Sequence, residues 1–275
     1  MAIGVFLTSM FRDMKSQKMR TFLTVFGILW GTASVILLLA FGQGIHVRQQ
    51  AAMKGLGDAI VIMWPGRTAK VFQGLPKNRQ IRFREDDAVL LKQQVVHLGR
   101  LSPEYTLWDA KARVGKTEKL VRVTGCWPEF GEARNIVPQT GSRFINQEDM
   151  DLKRRVIFIG DELKDQLFGE QDAIGRMVLI NGVPFTVVGV MRKKEQDSSY
   201  NGRDTQKAFI PSATFRAMYG SEYVNNIIFQ ADKPENTPTA KRSVYEVLGA
   251  RYKFDPDDEE ALSMWDTTEG EQFFS

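Results

Sequence analysis

From Thr21 to Gly42 the chain reads TFLTVFGILWGTASVILLLAFG, twenty-two residues without a charge. At about 1.5 Å per residue such a run makes roughly 33 Å of helix, enough to cross a hydrocarbon layer of about 30 Å. A buried core helix rarely runs this long without one charged position. A cleaved leader would carry an apolar stretch of only about 7–15 residues behind a shorter basic segment, and Ala40-Phe41-Gly42 imitates a cleavage site only loosely. The pattern therefore predicts an uncleaved transmembrane helix over residues 21–43. Upstream, Ile3, Phe6, Leu7, Met10, Phe11 and Met14 recur at helical spacing beside basic residues. That fits a helix lying in the membrane interface, or a leader that only sets topology.

Downstream the pattern changes to short alternating segments. Gln43 to Leu56 can continue the helix, and a strand over Ala59–Trp64 is closed by Pro65-Gly66. Residues 66–80 read as a loop. Glu85–His97 places acids at its start and Ala88, Leu91 and Val95 on one face, which predicts a helix with a favourable first-turn charge. Short strands follow over 104–108, 111–115 and 119–125. Val156–Ile159 reads as a buried strand and Asp161–Phe168 as a helix. Met177–Ile180 and Val183–Val190 form a hairpin across Asn181-Gly182, since both positions of its turn require positive φ. Ala208–Ile210 and Asn226–Gln230 are further strands, with helices over Ser212–Tyr219 and Lys241–Leu248. Strands and helices interleave without a βαβ period, so the fold class is α+β: one N-terminal transmembrane helix followed by a mixed α/β core domain. The prolines of 234–238 and the acidic stretch after 254 read as linkers or a stalk. The expected organisation is a basic segment (1–20), the span (21–43), a core domain (44–254) and an acidic stalk (255–275).

Charge adds direction to this outline. The net charge of +4 over 275 residues does not suggest nucleic acid. Arg12, Lys15, Lys18 and Arg20 precede the span, whereas His46, Arg48 and Lys54 follow it more sparsely. The positive-inside rule then puts the N-terminus in the cytoplasm and residues 44–275 across the membrane. Within the span Gly27 and Gly31 form a G-x-x-x-G, with Thr24 and Ser34 also small, a face on which another helix can pack closely.

Reactive chemistry is sparse. Ala110-Lys-Ala-Arg-Val-Gly115-Lys116-Thr117 fits a relaxed phosphate-loop pattern, but charged residues alternate before it and a strand follows it, so Gly115 reads as a hairpin turn. There is no G-x-S-x-G, and the lone Cys126 at a strand end reads as a packed thiol rather than a nucleophile. His97 reads as late in its helix and His46 as just outside the membrane, leaving little for a metal or catalytic centre. The pairs Asp86/Asp87 and Asp257/Asp258 read as solvated. The runs Lys153-Arg154-Arg155 and Arg192-Lys193-Lys194 read as solubilising strand edges. No catalytic, cofactor-binding or metal-binding residue is expected.

Laid out in this order, the chain resembles the permease subunits of MacB-type ABC exporters. The resemblance starts at Lys18-Met-Arg-Thr-Phe-Leu-Thr24, Gly27-Ile28, Gly31, Ala33-Ser-Val-Ile36 and Gly42-Gln-Gly44. It continues at Gly55-Leu-Gly57 and Pro65-Gly66, and is best over Val121–Gly220. That stretch holds Gly125 with Pro128, Gly141-Ser-Arg-Phe144, Glu148-Asp149, Ile159-Gly160, Leu167-Phe-Gly169, Ile174-Gly175, Ile180-Asn-Gly-Val-Pro-Phe-Thr-Val-Val-Gly-Val190 and Ile210-Pro211. The resemblance implies a first transmembrane helix and an extracytoplasmic, periplasmic core domain in the inner membrane of a Gram-negative cell. It also implies a homodimer or paired permease, a cytoplasmic ABC ATPase that binds the ATP on its own chain, and a possible periplasmic adaptor. Family permeases add three membrane helices after the core domain; none follows here before Ser275, which suggests a fragment. A single-span anchored binding or sensor module is the alternative.

Overall fold

The computed structural model describes residues 17–56, 59–194 and 199–267; Arg12, Lys15 and the apolar stripe of residues 3–14 lie outside them. The chain divides into two compact units, residues 1–50 and 51–275.

The first unit is built on α1 (Lys18–Leu56). Lys18–Gly44 within it is apolar enough and long enough to cross a membrane, and none of its best window is buried against protein. Three hydroxyls in this stretch are satisfied by the helix itself: Thr24 donates to the Arg20 carbonyl, Thr32 to that of Ile28 and Ser34 to that of Trp30, at 2.8–2.9 Å. Internal partners of this kind are what a polar group needs where no water is present.

The second unit is a mixed sheet of nine strands. The strands are β1 (Ile60–Pro65), β2 (Leu98–Val114), β3 (Thr117–Cys126), β4 (Val156–Ile159), β5 (Met177–Ile180), β6 (Val183–Val190), β7 (Lys207–Pro211), β8 (Asn226–Ala231) and β9 (Leu262–Asp266). They run in the order β3-β7-β4-β6-β5-β2-β8-β1-β9, and β2 also pairs with β3. That extra pairing closes β2, β3, β7, β4, β6 and β5 into a ring, from which β8, β1 and β9 extend as an open sheet. The long β2 belongs to both parts: Leu98–Glu104 pairs with β8, and Ala112–Arg113 pairs with β5.

Period-2 burial explains how the sheet supports two layers. Along β1, Val61 and Met63 join the larger apolar core, while Ile60 and Ile62 join a second cluster with Phe130, Phe158 and Phe209. Helices α2 (Glu85–Gln94), α5 (Asp161–Phe168), α6 (Ser212–Tyr219) and α7 (Thr237–Tyr252) supply Ala88, Leu91, Leu163, Leu167, Phe215 and Val244 to the first cluster. The short α3 (Glu129–Ala133) and α4 (Gln147–Asp151) accompany the loops that cover the second face.

Several expectations hold residue for residue. Asp161–Phe168, Met177–Ile180, Val183–Val190 and Ser212–Tyr219 are the elements read from the pattern. Asn181 and Gly182 both take positive φ (48° and 84°), and Gly115 (φ 57°) turns the β2–β3 hairpin. Others need correction. The strands expected at 104–108 and 111–115 are one strand with a bulge between Leu107 and Ala110, where Asp109 takes φ 54° and interrupts the alternation. The helix expected to reach His97 stops at Gln94: Val95 is extended, and His97 turns at φ 59° into β2.

The acidic stretch expected as a stalk is integral to the domain over its described part. β9 pairs antiparallel with β1 from Val61↔Asp266 to Pro65↔Leu262. Thr267 both donates to the Ile60 carbonyl (3.0 Å) and accepts from its N–H (3.1 Å). Asp258 is buried and accepts from the N–H groups of Ala69 and Lys70 at 2.8 and 3.0 Å. Likewise residues 234–238 form a helical turn and the start of α7 rather than a linker.

Candidate functional site

Two regions carry the features from which function can be argued: the surface of α1 and the buried polar clusters of the domain. On α1, Phe22, Phe26 and Trp30 stack at i, i+4 spacing with centroids 5.9 and 6.0 Å apart, forming an aromatic ridge. Gly27 and Gly31 leave a flat track beside it: a Cβ built on either would meet nothing within 4 Å. Lys18 and Arg20 stand exposed at its start, with the Arg20 guanidinium donating to Gln17 (3.1 Å).

The first polar cluster sits under the second face of the sheet. The fully buried Asp204 receives both oxygens' worth of contact from Arg134 Nη2 (2.9 and 3.0 Å), with Lys194 Nζ at 3.2 Å and Lys207 Nζ at 3.4 Å. Lys194 also donates to the Arg134 carbonyl. The Tyr200 ring lies 4.9 Å from the Arg134 guanidinium and 5.7 Å from the Lys207 ammonium. Its hydroxyl donates to Glu104 on β2 (2.6 Å), which also accepts from Asn201 (3.1 Å) and Asn226 (2.7 Å). Burial alone would raise the Asp204 carboxyl, but Arg134, Lys207 and Lys194 together hold it well below the usual carboxylate range. Burial pulls Lys194 down to about 8 against the opposing attraction of Asp204. The reading of Lys194 as a solubilising edge is thus corrected: its side chain is 9% exposed, because the chain turns inward there to meet Asp204.

The second cluster centres on Glu85 at the start of α2. Its carboxylate accepts from Trp127 Nε1 (2.6 Å), Ser212 Oγ (2.7 Å), Arg216 Nη1 (2.9 Å) and Tyr105 OH (3.3 Å). One carboxylate so holds α2, β2, the end of β3 and α6 together. Two residues on, Asp87 is not solvated as expected but fully buried. It caps its own helix through the Arg84 N–H (2.6 Å) and receives Tyr252 OH and Arg251 Nε, each at 2.5 Å, from the end of α7. A cleft of about 390 Å³ opens beside this cluster between Val89, Lys92, Trp127, Glu129 and Met150.

These clusters tie elements together, and Ser212, whose hydroxyl donates to Glu85, is fully buried. Cys126 is buried, and burial pushes its thiol well above the ordinary range. Of the sequence-derived site residues, Lys18, Arg20, Gly27 and Gly31 all lie along α1. Glu85, Asp87, Glu104, Arg134 and Asp204 were missed. Glu104 carried no signal, because its same-face neighbours along the strand, Ser102 and Thr106, are polar and the position reads as solvent-facing.

A family model described as the MacB-like periplasmic core domain matches residues 21–247. The macrolide export ATP-binding/permease protein MacB of Chlorobaculum tepidum is 28% identical over 273 residues, covering 98% of the chain and 41% of that protein. The protein of the same description from Bdellovibrio bacteriovorus is 27% identical over 245 residues, covering 88% and 37%. The chain thus spans about two fifths of the length of these relatives. Among solved structures, the periplasmic region of MacB from Actinobacillus actinomycetemcomitans superposes with a TM-score of 0.63 at 16% identity, covering 80% of this chain and 94% of that one. The extracellular domain of the noncanonic ABC-type transporter YknZ from Gram-positive bacteria gives 0.61 at 16% identity, covering 75% and 99%. At that identity the two structures establish the fold.

Proposed function

The chain belongs to the family of MacB-like periplasmic core domains, and on that premise we propose that it is the first membrane helix and core domain of an ABC-type permease. In this reading a cytoplasmic ABC ATPase binds and hydrolyses ATP on its own chain. The permease carries no catalysis; it converts the ATPase cycle into movement of the domain on the far side of the inner membrane, for export or extraction of a substrate. It works as a homodimer or paired permease, with a periplasmic adaptor as a further partner. Arg12, Lys15, Lys18 and Arg20 hold the N-terminus in the cytoplasm, and the Gly27/Gly31 track seats another membrane helix.

The observation that carries the proposal is the apolar helix Lys18–Gly44, exposed along its length and belonging to a chain whose second unit has the fold of the MacB periplasmic region. Two features of that unit suit a body that transmits movement. β9 and Thr267 clamp the end of the described chain onto β1 and Ile60. The buried clusters at Asp204 and Glu85 couple separate elements rigidly.

The test uses the complete permease reconstituted with its ATPase. Val71 is 68% exposed, and the native Cys126 is buried, so Val71→Cys accepts a spin label selectively. Dipolar distances between labels on the two copies should shift between the nucleotide-free state and the state trapped with ATP and vanadate. A distribution that does not move with nucleotide contradicts the coupling.

A further inference from the structure

Away from both clusters' centres, a cavity of about 220 Å³ opens between β3, α5 and residues 202–207, lined by Asp109, Leu120, Arg122, Arg203, Gln206 and Lys207 among others. It is smaller than the usual site for a whole drug-sized ligand, roughly 300–1,000 Å³, and so suits one functional group of a larger molecule. We propose that this cavity binds the phosphate group of a ligand whose remaining part is apolar and rests on Trp108 and Leu120.

The argument starts with Arg122. Its guanidinium lies over the Trp108 ring, 4.0 Å from the centroid, and one Nη donates to the Asn201 carbonyl. Its Nε is buried without an acceptor. A guanidinium held against an aromatic ring and lining the cavity is pre-organised for an oxyanion. The chain around it is shaped to that purpose. Gly202 takes φ 78°, and a Cβ there would collide with the Arg122 guanidinium, so a glycine is required for the loop to wrap the cation.

Charge points the same way. Lys207 is 2% exposed at the side chain, and Arg203 also lines the cavity. The carboxylates nearby are Glu104, Asp109, Glu162 and Asp204. Glu104 and Glu162 already hold donors from Tyr200, Asn201, Asn226, Thr205 and Gln206, and Asp204 is shared by Arg134, Lys194 and Lys207. Of the charged side chains that line the cavity, Arg122, Arg203 and Lys207 outnumber the single carboxylate of Asp109. An anion in the cavity would offset that excess where it is least hydrated. At the rim, Trp108 is 53% and Leu120 67% exposed, an apolar margin for the rest of the ligand.

The shared chemistry is a phosphate, supplied by a lipid headgroup or by a soluble phosphate, and the test separates the two. The full chain in phosphatidylcholine nanodiscs is titrated calorimetrically with sodium orthophosphate and with dihexanoyl phosphatidic acid, empty nanodiscs serving as reference. Saturable one-site binding is expected, weakened at least tenfold by Arg122→Gln and by Arg203→Gln. Arg203→Gln should leave the thermal midpoint unchanged, which separates loss of binding from loss of fold. Tighter binding of the lipid by tenfold or more, abolished by Leu120→Ser, assigns a lipid headgroup; equal binding of both probes assigns the phosphate alone and overturns the apolar contact with Trp108 and Leu120. Absence of saturable binding by either probe overturns the proposal, as does binding that survives the Arg122→Gln/Arg203→Gln double variant.

Discussion

Replacing Asp204 by Asn keeps the shape of the side chain and removes its charge, leaving Arg134, Lys194 and Lys207 facing one another without the carboxylate they share. Arg134 and Asp204 are both fully buried at the side chain, Lys207 is 2% exposed and Lys194 9%, so water cannot take over the lost role. Breaking a buried ion pair from one side costs about 3–5 kcal/mol, a large share of a domain stability of about 5–15 kcal/mol. For a unit of this size, about 2–4 °C is lost per kcal/mol, so the midpoint should fall by about 10 °C. The contrast is Arg100→Gln, which breaks an ion pair to Glu132 whose partners are 52% and 73% exposed; pairs of that kind contribute about 0–1 kcal/mol. Urea unfolding of the full chain in detergent, followed by tryptophan fluorescence, measures both. Adding Lys194→Met to Asp204→Asn should recover part of the loss, because it removes one of the stranded charges. If Asp204→Asn costs no more than Arg100→Gln, the cluster is hydrated in solution and the rigid coupling drawn from it is wrong.

Three further outcomes follow from the same structure. Lys194 is held down at about 8 by burial, against about 10.4 in the unfolded chain, so between those values the unfolded state binds more protons and stability rises with pH; a gain of up to about 3 kcal/mol between pH 8 and 10 is expected in chemical denaturation, and Lys194→Met should flatten it. Glu85→Gln removes the charge that Trp127, Ser212, Arg216 and Tyr105 share, and should cost about 2–3 kcal/mol with a change in Trp127 emission; an unchanged unfolding midpoint would show that α2 and α6 are held by apolar packing alone. A Cβ at Gly160, ahead of α5, would strike the backbone of Thr205 and lie 2.6 Å from the Asp204 carbonyl, so Gly160→Ala should lose about 1–3 kcal/mol or more and lower the thermal midpoint; a neutral result would mean the 204–206 turn shifts freely.

The parts legible in the sequence are those set by short-range patterns. The apolar run of α1, the Asn181-Gly182 turn, and the alternation of β5 and β6 each depend on a few adjacent residues; the bounds of β5 and β6 were recovered, while the helix expected over 21–43 is part of a longer one, Lys18–Leu56. The bulge at Trp108-Asp109 was read as a gap between strands, because an extra residue breaks the alternation in the same way a turn does. Residues 262–266 looked like part of a solvated tail because their pairing partner, β1, lies some two hundred residues earlier, a separation that local pattern cannot express. The same reason hid the buried charges. Asp87, Lys194 and Asp258 each sit in a charged run that reads as exposed, and only the three-dimensional neighbours Arg251, Asp204 and the loop at Ala69–Lys70 bring them inside. The long apolar helix was legible throughout, since its length and hydropathy are written into its own composition.

The most direct test of the account is the topology of that helix. Single cysteines at Ser16 and Val71, in a Cys126→Ser background, are treated in intact spheroplasts with a membrane-impermeant maleimide, then again after lysis. The account predicts that Val71→Cys reacts before lysis and Ser16→Cys only after it, and that replacing Arg12, Lys15, Lys18 and Arg20 with Glu disturbs this pattern. Labelling of Ser16→Cys in intact spheroplasts, or protection of Val71→Cys until lysis, would contradict it.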